Sequence, residues 1–257
     1  MDDLKIKLEL NNHKYEIDLD RATDLSIPNR FDGISPSFYG SQHPIAKPLE
    51  SENFIGDIEK GGSCNVPIVT VDIHCSGTHT ECSGHINNSG LKIVDVCPKN
   101  FLFSQLITVS PVSSSNTNDT YHKSLSNELI IPVEAIETEF IVGSQDTLAI
   151  RTSPNHKDKM NFNYDSDTPP FFSNQAIEFI LDMGIKHLLV DLPSIDRGDD
   201  DGLLGNHHRF FSKGSTISEL LYIPNKLDDG FGFLQIQIPN WHLDAAPSRP
   251  IFFPIEF

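Results

Sequence analysis

The sequence predicts an α/β fold, a single domain over residues 1–257 built on a mixed, barrel-like sheet with a few helices beside it. Short apolar runs with β-branched or alternating character recur along the chain and outnumber helical patterns. One segment has a well-delimited helical periodicity. No repeat of fixed period and no clean linker divides the 257 residues, a length that can bury a sizeable core.

The elements follow in order. Leu4, Ile6, Leu8 and Leu10 alternate with polar residues, and after Asn11-Asn12 the alternation resumes at Tyr15, Ile17 and Leu19. Period-two patterning around a turn dipeptide predicts a hairpin. Residues 20–62, rich in Pro, Gly, Ser and Asp, read as a long loop. Val66 to Ile73 reads as a buried strand running straight into a histidine-rich segment. Strands are also expected at Phe101–Val109 and Leu148–Arg151. A polar, exposed excursion over 113–126 and a proline-containing loop over 152–172 are expected around them. Ser173 offers an N-cap to a helix with Ala176, Ile177, Ile180 and Leu181 on one face, ending at Gly184. Leu188–Val190 is a strand, and a short helix over His207–Lys213 ends at Gly214. Ile217–Ile223, Phe233–Ile238 and Ile251–Ile255 are strands, the last confined to a sheet edge by Pro254.

Composition removes some functions. Acidic residues outnumber basic ones, 36 to 19, and the formal charge of -17 repels a polyanion, so nucleic-acid binding is set aside. No apolar stretch approaches a membrane span, and Met1-Asp2-Asp3-Leu4-Lys5 lacks the profile of a signal peptide. Cys64, Cys75, Cys82 and Cys97 show no disulfide framework and read as reduced thiols, so a cytoplasmic location is expected.

The chemistry concentrates in His74-Cys75-Ser76-Gly77-Thr78-His79-Thr80-Glu81-Cys82-Ser83-Gly84-His85. On a strand, residues i and i+2 share a side, so His79 and Glu81 present an imidazole and a carboxylate together. Gly84 permits the bend that would return His85 to the same place, and His74 lies just upstream. Imidazole nitrogen with carboxylate oxygen suits Zn²⁺, Mn²⁺ or Fe²⁺. A polar loop enriched in histidine by chance is the plainer reading. Asn206-His207-His208-Arg209, followed by Glu219, forms a second and weaker cluster, which solvated helix residues would also explain. A serine triad is a poor rival, because the chain has no Gly-x-Ser-x-Gly elbow. Phe31, Phe38, Tyr39, Phe171, Phe172 and Trp241 are candidate pocket aromatics, more often simply filler.

The histidine-rich segment resembles the signature of the cyclase-like amidohydrolase family, which includes bacterial kynurenine formamidases and isatin hydrolase. That signature reads His-x-Gly-Thr-His-x-Asp-x-Pro-x-His, and Gly77, Thr78, His79 and His85 match it, with Glu81 in place of Asp. Asp24-Leu25-Ser26-Ile27-Pro28, Gly184-Ile185 with Asp191-Leu192-Pro193-Ser194-Ile195-Asp196, and His207 with Glu219 resemble further stretches of the family, in its order. The resemblance implies the swivelling β/β/α fold and metal-dependent hydrolysis of a C–N amide bond in a small molecule. It implies one or two divalent ions, Zn or Mn, and a homodimer or larger homo-oligomer.

Residue by residue, it implies His79 and Glu81 as ligands of the main ion. His207 and Glu219 would complete a second position bridged by Glu81. His85 would be the general base or acid, and Ser194 and Asp196 would shape the substrate pocket. An Asp196 that only binds local backbone amides at a strand-end turn is the competing expectation. Where the family has its first histidine this chain has Cys75, one after His74. Either a one-residue bulge at Gly77 swings His74 in, which we favour, or the Cys75 thiolate takes the position. Whether His207 or His208 is the late ligand stays open, as do substrate and metal identity. A member that binds metal or ligand without turnover, or a cyclase or dehydratase on the same ion, is the alternative.

Overall fold

The computed structural model of the protein describes residues 4–212 and 214–255. Its organising element is a curled nine-stranded mixed sheet. Four strands at its centre run parallel: Leu102–Val109, Thr147–Thr152, His187–Val190 and Thr216–Glu219. Antiparallel strands flank them. On one side lie His79–Glu81 and then the edge strand Ala245–Pro247. On the other lie Gly230–Gln237, Arg249–Pro254 and the two-residue edge Thr23–Asp24.

The central strands are parallel because apolar groups cover both faces of them. Leu148, Ile150, Leu188, Val190 and Ile217 point to one side, under the helices Asn174–Asp182 and Gly205–Phe211. Leu106, Ala149, Leu189, Leu234 and Phe252 point to the other. Side chains that alternate in this way leave the central strands between two hydrophobic layers, the main source of stability in a domain of this kind.

Most expected elements are present. The amino-terminal hairpin pairs Lys5–Leu10 with His13–Asp18, and its Tyr15 and Ile17 pack on Phe103, Phe233 and Phe253. The Ser173 hydroxyl accepts a hydrogen bond from the Ala176 amide at 2.9 Å, the N-cap its position predicts. The short helix expected from His207 begins two residues earlier, at Gly205.

Five expectations need correction. Pro254 does not confine the last strand to an edge: Arg249–Pro254 lies between Gly230–Gln237 and Thr23–Asp24, which pairs only at Ile251 and Phe252. Residues 20–62 are not one loop: they hold the edge strand Thr23–Asp24 and two small ribbons, in which Ile45–Pro48 pairs with Pro67–Thr70 and Glu50–Ser51 with Phe54–Ile55. The strand expected to be buried over 66–73 is the exposed Pro67–Thr70, since its one neighbour is the other half of that ribbon. A turn at residues 73–75 then separates it from His79. The strand expected over 217–223 stops at Glu219, where Leu220 takes a left-handed φ of 54°. The excursion over 113–126 is not wholly exposed, because Tyr121 is buried against Phe171 and Ile130.

His187 opens a central strand with Nδ1 2.8 Å from the Thr216 hydroxyl. Burial pulls its pKa down to about 4, against a small opposing pull from Asp146. The unfolded chain therefore takes up a proton near 6.5 that folded His187 refuses until about pH 4. The stability tied to this neutral imidazole is intact above about pH 6.5 and is lost as pH falls through about 4. His187→Gln should flatten the fall in melting temperature over that acid range; wild type and variant falling in parallel would contradict it.

Candidate metal centre

Glu219 is the last residue of its strand and His79 the first of the antiparallel neighbour, and the register sets them directly opposite. Glu81, two residues on, shares their face. Two adjacent strands thus bring an imidazole and two carboxylates to one place at the carboxyl end of the parallel sheet, where α/β folds gather ligands. The helix Gly205–Phe211 packs over that face and adds His207, buried in its first turn.

The chain before His79 is held from several sides. The Thr78 hydroxyl donates to the Leu220 carbonyl and accepts from the Ile27 amide at 2.7 Å. Gly77 lies so close to this junction that a Cβ would come within 2.9 Å of Asn29 Oδ1, a close approach that explains glycine here. The Gly77 carbonyl accepts from His79 Nδ1 at 3.1 Å, which leaves Nε2 as the free nitrogen. After Glu81, Gly84 sits where a Cβ would meet the Leu91 carbonyl oxygen at 2.3 Å, and the tight turn Ser83–His85 returns His85 to the site.

The side chains meet around Glu81. His207 Nε2 is 3.1 Å from its Oε1, and His74 Nδ1 is 3.1 Å from its Oε2. His85 Nε2 is 3.7 Å from the same Oε2. Glu219 reaches His79 Nε2 at 3.6 Å with one oxygen and His207 Nε2 at 3.6 Å with the other. His79, Glu81 and Glu219 each bring a ligand atom within 4.8 Å of the other two, and so do His74, Glu81 and His85.

His79 Nε2 and both Glu81 oxygens are buried without a hydrogen-bond partner. Such atoms are costly to bury unless something satisfies them. Here ligand atoms of His79, Glu81 and Glu219 lie within 4.8 Å of one another, an arrangement a shared cation would satisfy. Burial raises the Glu81 pKa, but the neighbouring His207 and His74 imidazoles outweigh it and hold the carboxyl well below its usual range. Burial works against a charged His74 too, yet Asp244 and Glu81 push it up to about 10. His207 is likewise raised, by Asp196, Glu219 and Glu81 acting against its burial. The carboxylates therefore favour positive charge at the centre, which a divalent ion would supply from one atom. His85 differs: burial, only partly offset by Glu81, keeps its pKa low and the imidazole neutral.

The structure brings together His74, His79, Glu81, His85, His207 and Glu219. It turns Cys75 away, into an apolar nest of Phe38, Tyr164 and Leu220 where burial pushes the thiol up to about 12. A turn, rather than a strand bulge, swings His74 inward. His208 is exposed. Asp196 lies behind His207, accepting from its Nδ1 at 2.8 Å and from its amide at 3.0 Å, while Ser194 Oγ accepts from the Asp196 amide at 3.1 Å. Asp196 thus spends both oxygens within the protein, on amides ten and eleven residues away rather than on its own turn. Phe171 and Phe172 are core residues, whereas Phe31, Tyr39 and Trp241 are exposed.

Asp244 belongs to the site and the sequence reading missed it. Its Oδ2 stands 3.2 Å from His74 Nε2 and 3.4 Å from His85 Nδ1. It precedes the edge strand Ala245–Pro247, which pairs with Glu81 and His79, so only the sheet topology places it.

The family model described as putative cyclase matches residues 23–197. The chain belongs to that family. The match spans His74 through Asp196 and stops before His207 and Glu219, which this cyclase-family chain brings in through its fold. Kynurenine formamidase of Bacillus cytotoxicus is 27% identical over 198 residues, 77% of this chain and 84% of the relative. Kynurenine formamidase of Bacillus mycoides is 27% identical over 197 residues, again 77% and 84%. Among solved structures, a predicted metal-dependent hydrolase from Bacillus stearothermophilus superposes with a TM-score of 0.61 at 18% identity, covering 90% of this chain and 97% of that one. Isatin hydrolase A from Labrenzia aggregata, bound to benzyl benzoate, gives 0.62 at 15% identity over 92% and 94%. These two likenesses establish the cyclase-family fold.

Glu81→Gln removes a charge that faces His74, His85 and His207 together. Elemental analysis after dialysis against Zn²⁺ or Mn²⁺ should show at least about a tenfold loss of bound metal relative to wild type. Full retention would contradict a centre built around this carboxylate.

Proposed function

We propose that this chain is a metal-dependent hydrolase that cleaves a C–N amide bond of a small molecule, an aryl formamide or a cyclic amide. The observation that carries it is the convergence of buried imidazoles and carboxylates around unpartnered atoms of His79 and Glu81. The names of the relatives, kynurenine formamidase and isatin hydrolase, supply the bond type.

His79 through Nε2, Glu81, Glu219, His207 through Nε2 and His74 would hold the metal. Zn²⁺ or Mn²⁺ suits this nitrogen and oxygen set, and Glu81, with an imidazole beside each oxygen, would be a ligand to one ion or two. A divalent cation there supplies Lewis acidity, polarising the scissile carbonyl and lowering the pKa of a nearby water.

His85, neutral and partly open to solvent, is the proton carrier. It accepts the proton of the attacking water as the water oxygen bonds to the carbonyl carbon. It then gives that proton to the leaving nitrogen as the C–N bond breaks. Asp244 steadies the ring from its Nδ1 side. Asp196 keeps His207 Nε2 turned inward by accepting from Nδ1. Because the family model is described as a putative cyclase, ring closure or dehydration is the second reading. Product analysis in ¹⁸O-labelled water separates the two, since only hydrolysis places the label in the acid product.

The ribbon of Ile45–Pro48 and Pro67–Thr70 also supports a homo-oligomer. Ile45, Ile68 and Val69 are exposed on it. A two-stranded ribbon is marginal in water unless something packs on it. Light scattering should show wild type as a dimer or larger and Ile68→Glu/Val69→Glu as a smaller species; a monomeric wild type would contradict this.

His85→Ala should lower kcat by about 10² to 10⁴ on formanilides or cyclic amides while leaving metal content unchanged. Unchanged turnover would remove His85 from the mechanism. A metal-replete wild type inert across such a panel would remove hydrolysis itself.

A further inference from the structure

Asp196 fixes His207, and something must fix Asp196. Its Oδ2 accepts from the amide and Nδ1 of His207, and the Asn206 amide lies within 3.1 Å of both its oxygens. The remaining side-chain donor is the Tyr121 hydroxyl, 2.7 Å from Oδ1. The same hydroxyl accepts from the Arg197 amide at 2.9 Å. We propose that Tyr121 is a positioning residue for the metal centre: its hydroxyl locks the Asp196 carboxylate, and through it the His207 ring, in the orientation that binds the cation. This rests on reading the site as a metal centre.

The geometry favours one role for that oxygen. The Tyr121 ring is boxed in by His122, Phe171 and the Arg197 guanidinium, with centroid distances of 3.8, 4.7 and 5.8 Å. The segment that carries it is anchored without the hydroxyl. The Asn174 amide donates to the Thr120 carbonyl at 2.9 Å, and Arg197 Nη1 donates to the Ser124 carbonyl and to Glu128 at 3.0 and 2.8 Å. Removing the hydroxyl therefore leaves the segment in place but takes from Oδ1 its shortest hydrogen bond, leaving the Asn206 amide as its donor. From Asp196 the path to the centre is two contacts long: Nδ1 of His207 at 2.8 Å, then Nε2 of the same ring at 3.1 Å from Glu81. Groups that orient a ligand histidine from behind commonly change metal affinity or activity 10- to 100-fold, about the size expected here.

The nearby His122, Asp196 and Asp200 do not form a second cation site, although their ligand atoms lie close together. Asp200 spends its oxygens on the amides of Gly202, Leu203 and Leu204, and Asp196 spends both of its own as above. The cluster is the wall behind His207.

Tyr121→Phe keeps the ring and loses one atom. Glu128→Gln serves as the control, because it weakens the same clamp on Arg197 without touching Asp196. Zn²⁺ and Mn²⁺ affinity is measured by competition with a chromophoric chelator, beside melting of the metal-free proteins and kcat and KM at saturating metal. Tyr121→Phe should bind either ion about ten-fold or more weakly, with KM held within about twofold, while Glu128→Gln binds as wild type. Wild-type affinity in Tyr121→Phe overturns the proposal. So does a loss of affinity in both variants that merely follows their loss of melting temperature. A wild type that binds neither ion overturns the metal centre itself, a different failure.

Discussion

A carboxylate buried among imidazoles is the constraint on which this structure turns. Glu81 lies inside the protein with both oxygens aimed at imidazoles. Placing such a charge away from water costs several kcal/mol unless positive charge is brought to it. The surrounding architecture does this from different parts of the chain: a turn brings His74, a short helix brings His207, and a glycine-dependent bend returns His85. Glu219 joins from the adjacent strand and makes the centre doubly acidic, which raises the demand for a divalent rather than a monovalent partner.

The centre divides into a buried floor and an open side. His79, Glu81, His207 and Glu219 are buried, on strands or a helix whose backbones are fixed by the sheet. His74 and His85 stack at a centroid distance of 4.1 Å beside the partly exposed Asp244. Rigid elements thus hold the buried groups, and His74, His85 and Asp244 stand at the partly exposed side. The shifts in proton affinity follow the same division: Asp196, Glu219 and Glu81 raise that of His207 against its burial, while burial lowers that of His85.

Much of the centre was legible because it is local. The two-residue spacing of His79 and Glu81 is a strand rule, and Gly84 marks the bend. Glu219 and His207 lie twelve residues apart in a pattern that resembles a known family. What was hidden depends on distant pairing. Asp244 is 170 residues from the histidine it touches, and only its edge strand brings it there. Tyr121 sits in a Ser- and Asn-rich segment whose composition reads as loop, and its burial is decided by Phe171 on a neighbouring strand. The run after Val66 has strand propensity, but propensity does not say whether a second layer will cover it. Leu220 takes a backbone conformation that a branched residue rarely adopts, so the end of its strand at Glu219 could not be read from residue type.

X-ray absorption at the metal edge tests the central claim most directly, on protein loaded with Zn²⁺. The account predicts a first shell of nitrogen and oxygen only, at about 2.0–2.2 Å, with the outer-shell scattering of at least two imidazoles. A sulfur shell near 2.3 Å would place Cys75 at the ion and contradict the inward turn of His74, and a shell without imidazole would contradict the centre as a whole.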